Sequence, residues 1–86
     1  LHLRGRNIVV GGVIEEIRRI NTRSGDIMLF VTLEDLSSRR EIVVFSNILQ
    51  KQAALWQKGK IIFAQVSVRS RRGNLNLVCL KAKELQ

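Results

Sequence analysis

Apolar residues recur at every second position through much of the chain. Ile27, Leu29, Val31 and Leu33 alternate with Met28, Phe30, Thr32 and Glu34, the period of a strand with one buried face. The stretch from Ile8 to Ile20 is rich in Ile and Val and carries Gly11-Gly12. It predicts a strand with a bulge or a sharp coil at the glycines. Arg40 to Phe45, Lys60 to Arg69 and Leu75 to Lys81 read as three more strands. Turn sequences separate them: Asn21 to Asp26, Asp35 to Arg39, and Ser70 to Asn74, where Gly73 suits a positive φ. After the third strand the period changes. Leu49, Ala53 and Trp56 follow at spacings of four and three, which predicts one amphipathic helix over 47–57. Ser46 or Asn47 would cap it, and Gly59 sits where a helix ends in the left-handed conformation.

Three strands, one helix and two strands is the order of an all-β OB-fold: a five-stranded Greek-key barrel with one short helix between strands 3 and 4. We expect residues 1–86 to form a single domain of this kind, with no linker or internal repeat. The chain opens at Leu1 without a methionine, and we expect it to be a fragment of a larger protein. Alternation assigns Ile27, Leu29, Val31 and Leu33, then Ile42 and Val44, then Ile62, Ala64, Val66 and Val68 to the core. It turns Met28, Phe30, Glu41 and Val43 outward. Phe45 is expected under the helix and Trp56 on the barrel floor.

The 86 residues suffice for one small core. Fifteen Lys and Arg against seven Asp and Glu leave a net charge of +8. That excess favours a polyanionic partner, because bound cations release counterions from phosphates. There is no transmembrane run and no signal-peptide pattern. Cys79 and His2 are the only residues of their kinds. An internal disulfide and a zinc site are therefore excluded, and a cytoplasmic setting fits. Glu15 and Glu16 are adjacent, so regular alternation would point them to opposite sides. With no nucleophile–base set and no glycine-rich phosphate loop, we expect no catalytic site, no cofactor and no small-molecule substrate in this domain.

The arginines gather at the turns. Arg18, Arg19 and Arg23 flank the first, Arg39 and Arg40 the second, and Arg69, Arg71 and Arg72 the last. The first and last of these loops border the open face of strands 2 and 3 in an OB-fold. Guanidinium groups there can meet phosphates and stack on bases. Met28 and Phe30 lie between them on the outward face. Two explanations stand for such exposed apolar residues: stacking against bases, or cover by a helix or a neighbouring domain.

The run Val10-Gly11-Gly12-Val13-Ile14-Glu15-Glu16-Ile17-Arg18-Arg19 resembles the first OB strand of the alpha subunit of bacterial DNA polymerase III. The runs Thr22 to Asp26, Met28 to Asp35, Glu41 to Phe45 and Leu75 to Val78 continue the resemblance, which spans about Ile8 to Lys83. The chain departs from that pattern in three places. It has no glycine in Leu36-Ser37-Ser38-Arg39, Ser46 in place of a common proline, and Ala64 where glycine is frequent. The resemblance implies a domain in the C-terminal part of a large polymerase, holding single-stranded template near the active site and touching the parent's other domains. Met28 and Phe30 would be its platform, with Arg18, Arg23, Arg71 and Arg72 as the phosphate rim. The same strands are similar to the anticodon-binding OB domain of class II aminoacyl-tRNA synthetases. That would put RNA in place of DNA, with Phe30 stacking on a base and Glu41 contacting bases. A protein-interaction OB module is the third possibility, with Met28, Phe30 and Val43 buried against a partner.

Overall fold

The computed structural model describes residues 6–85, with Arg71 through its backbone alone. His2 lies outside the described residues. Five strands, β1 (Asn7–Asn21), β2 (Ile27–Glu34), β3 (Arg39–Val44), β4 (Ile61–Arg71) and β5 (Asn74–Glu84), close a barrel in the order β1-β2-β3-β5-β4. All neighbours are antiparallel except β3 and β5, which run parallel. The helix lies between β3 and β4. This is the OB-fold that the strand order predicts. None of the described helices is long and apolar enough to cross a membrane.

β1 is long enough to serve two partners. Its first half pairs with β4 and its second half with β2, and Val13 faces both Ile61 and Glu34. Gly12 makes the crossing possible: a Cβ there would stand 2.7 Å from the Glu34 carbonyl oxygen. A bulge follows between Ile14 and Glu16. It breaks the regular alternation expected at Glu15 and Glu16 and sets Glu15 beside Glu34. The two carboxyls meet there, so the Glu34 pKa is raised above its ordinary value, first by a hydrogen bond with Glu15 and then by its charge.

The core is the inward set of each strand. Leu29, Val31, Leu33, Ile42, Val44, Ile62, Ala64, Val66 and Val68 are buried, as alternation predicts, and Ile27 at the strand end is half-buried. Cys79 is buried among them, and desolvation lifts its thiol to about 11. Val43 points outward by register, yet it is only 7% exposed. Phe30 on β2 and Val78 on β5 flank it and keep water off.

The helical segment is shorter than predicted. The helix α1 covers Ser46–Lys51, and a single 3-10 turn follows at Ala53–Leu55. Gln52 interrupts them with φ −133° and ψ 41°. Its side-chain amide donates to the Ala82 carbonyl at 2.6 Å and accepts from the Ala82 amide at 3.3 Å. The cap is Phe45, not Ser46 or Asn47, and no side chain bonds the first turn. The buried residues here are Ile48, Leu55 and Trp56; Leu49 is half-buried and Ala53 exposed. Trp56 joins the core, as expected. Phe45 does not pack under the helix and remains 43% exposed.

Candidate nucleic-acid interface

The outward residues of β2, β3, β5 and the second half of β4 form one continuous surface. Strand register sets Arg18 opposite Phe30, Phe30 opposite Val43, Val43 opposite Val78, and Val78 opposite Ser67. Cross-strand neighbours on one face lie about 5 Å apart at Cβ, so these five side chains make a row across the sheet. Met28 follows two residues from Phe30, beside Phe45. An open groove of about 700 Å³ runs over this surface. Met28, Phe30, Val43, Phe45 and Val78 line it as an apolar floor, and Asn47, Arg69, Ser70 and Asn76 add polar edges.

Arg18 covers the Phe30 ring. Its guanidinium carbon stands 4.7 Å from the ring centroid, within the range of cation–π attraction. The same guanidinium lies 3.9 Å from a Glu41 carboxylate oxygen, with both side chains more than half exposed. Water screens such a pair, so it is weak and easily broken. On the far side, Arg69 is steered into the groove by its Nε, which donates to the Ser67 hydroxyl at 3.1 Å. The floor is therefore apolar and aromatic, with an arginine on each flank. That arrangement can take flat π-faces below and phosphates at the sides.

The eleven residues expected at the site divide by position. Met28, Phe30 and Arg69 line the groove; Arg18 on β1 stands over the Phe30 ring and beside Glu41 on β3. Arg23 and Arg72 are exposed in the β1–β2 and β4–β5 turns. Arg72 takes φ 53° beside Gly73 at φ 82°, the two positive values of a tight hairpin. The Arg71 side chain lies outside the described residues. Arg39 faces Glu34 at the far end of β2. Arg40 faces Leu33, and its Nε donates to the Ser38 hydroxyl at 3.3 Å, so it sits at the barrel mouth. Arg19 faces Leu29 and lines a separate cleft of about 590 Å³ beside Leu49 and Trp56. Arg19 and Arg40 thus do not join the groove. Phe45, Asn47 and Asn76 do, although the sequence reading put Phe45 under the helix and named neither asparagine as a site residue. Counting by twos from Val43 would have turned Phe45 outward, and counting from Leu77 would have found Asn76.

Known proteins of the same shape include the mitochondrial single-stranded DNA binding protein of S. cerevisiae, with a TM-score of 0.75, 15% identity and 93% of each chain covered. The N-terminal domain of the PriB protein from Thermoanaerobacter tencongensis superposes with a TM-score of 0.69 and 14% identity, over 93% of this chain and 96% of that one. At these identities the likeness is one of fold. In sequence, the chain is 25% identical over 81 residues to the DNA polymerase III subunit alpha of Bacillus subtilis (strain 168). The match takes in 94% of this chain but 7% of that protein's length. Residues 8–85 match the tRNA_anti-codon family, described as an OB-fold nucleic acid binding domain. The chain belongs to that family.

Proposed function

We propose that the chain binds single-stranded DNA along the β2–β3–β5 groove, as a domain of a replicative DNA polymerase III alpha subunit that holds template near the polymerase site. The observation that carries this reading is the aromatic and apolar floor of Phe30, Phe45 and Met28 between Arg18 and Arg69. Bases unstacked from a single strand lie flat on such a floor, and duplex bases are not available to it. Among the described residues no helix projects from the barrel to enter a major groove. The shared fold with a mitochondrial single-stranded DNA binding protein and the polymerase resemblance support the choice of DNA. On this reading the chain is one part of a DNA-directed DNA polymerase, and the chemistry belongs to other domains.

Fluorescence anisotropy with matched oligonucleotides tests the proposal. A single strand should bind more tightly than the same sequence as duplex, with little preference among sequences. Equal or tighter duplex binding would refute it. The tRNA_anti-codon family name favours a second reading, in which the strand is RNA. An RNA oligonucleotide binding more tightly than its DNA counterpart would select that reading.

A further inference from the structure

A second apolar surface lies on the other side of the barrel, where β1, β4 and the end of β5 meet. Val13 faces Ile61, and the Leu85 amide bonds the Ile61 carbonyl. In the next row Gly11 faces Phe63, whose ring lies against the glycine, and Phe63 faces Lys83. Val9 is 69% exposed and Phe63 41%, and Val13, Ile61 and Leu85 are exposed as well. Five large apolar side chains on one sheet face exceed the scattered singles that a surface normally carries.

The charges beside this patch are ordered. On the β2 side stand Glu34 and Glu15, which already repel each other. On the β5 side stand Lys81 and Lys83, both exposed and in no ion pair among the described residues. Arg39 lies one strand further out, beyond the acidic edge. The strand order across this face is β2, β1, β4, β5. A two-fold axis parallel to the strands, between β1 and β4, exchanges β1 with β4 and β2 with β5 across an interface. It lays the acidic edge of one copy on the basic edge of the other. An axis across the strands would instead lay acid on acid and base on base. The patch is self-complementary in one arrangement only, as a two-fold interface requires.

We propose that this face pairs with a second copy of the chain, apolar patch against apolar patch, with Glu34 of each copy meeting Lys83 of the other, one row along the strand. The two nucleic-acid grooves then face away from each other. Arg18 and Arg69 lie at the groove and Arg23 and Arg72 in the turns, away from this face, and salt screens the remaining repulsion between copies.

Sedimentation velocity of the 86-residue chain over a range of concentrations tests the pairing. The expected result is a monomer–dimer equilibrium. Lys83→Glu and Glu34→Lys should each weaken it about tenfold, because each substitution appears twice across a two-fold interface. The double variant should recover most of the loss. Leu36→Lys, at an exposed position in the β2–β3 turn away from the patch, should change nothing. Circular dichroism confirms that each variant is folded. A monomer at every concentration would overturn the proposal and leave the face to a different protein. So would a dimer that ignores the single reversals, or a double variant no better than the singles.

Discussion

Phe30 and Leu29 follow one another in β2, yet one lies half-exposed beneath Arg18 and the other is buried in the core. Truncating them should therefore have opposite consequences. Phe30→Ala should weaken single-strand binding by about 1–3 kcal/mol, the worth of one stacked base, with little change in stability. Leu29→Ala should cost about 2–5 kcal/mol of stability as a cavity in a packed core. Anisotropy and denaturant unfolding on both variants separate the two. Phe45→Ala should behave like Phe30→Ala, since it lines the same groove. Here the sequence was legible wherever period-two alternation ran undisturbed, as in β2 and β4. It was less legible at Phe45, where a strand hands over directly to a helix. Both periods claim that residue, and only the extended backbone at φ −82° and ψ 166° decides for the strand.

At the scale of elements, local signals located every strand and turn but not the irregularities. The end of α1 is decided by Ala82, thirty residues away, because the Gln52 amide takes the place of a strand partner there. No helix periodicity carries that information. The Glu15 bulge likewise follows from β1 changing partners, although Gly11-Gly12 marked the region. Gly12→Ala should destabilise by about 1–3 kcal/mol, since its Cβ would press on β2 backbone. Gly11→Ala should cost less, because its two shortest contacts are with the Phe63 ring, which can swing, and the Ile62 carbonyl stands off at 3.4 Å. Denaturant midpoints for the two variants check this. The β2–β3 turn has its own pH signature. Asp35 Oδ1 accepts from the Ser37 and Ser38 amides at 2.8 and 2.9 Å, and these bonds hold its carboxyl below the ordinary aspartate value. A carboxylate with a depressed folded pKa contributes stability that is present above its unfolded value and is lost as pH falls through the folded one. Thermal midpoints should thus show an acid-side loss below about pH 4 that Asp35→Asn removes.

For the whole molecule, the charge excess should appear as salt dependence. Arg69 lines the groove, and Arg23 and Arg72 are exposed in the β1–β2 and β4–β5 turns. Replacing all three with Ala should lower the salt slope of single-strand binding by about 2, at roughly 0.7 per phosphate contact. The loss should be the same for every sequence, because phosphates carry no base identity. Lys51 is exposed in the last turn of α1, and its replacement serves as the charge control. Titrations at several salt concentrations give the slopes. A lower slope for Lys51→Ala with none for the triple variant would move the site to the helix side. Net charge and turn arginines made a polyanion partner legible from sequence. Which arginines converge was not, since Arg18 and Arg19 differ only in parity, and the bulge resets parity between Ile14 and Glu16.

The barrel closes through its smallest ladder. β3 and β5 share two paired positions, Ile42 with Leu77 and Val43 with Val78, whereas β4 and β5 share ten. Val43 and Val78 also floor the groove. A strand lying there spans the seam like a clasp across the mouth of a purse. The free protein should open first at that clasp, and a bound oligonucleotide should hold it shut. Amide hydrogen exchange at 42–44 and 77–79 should then slow on binding more than exchange in the β4–β5 hairpin.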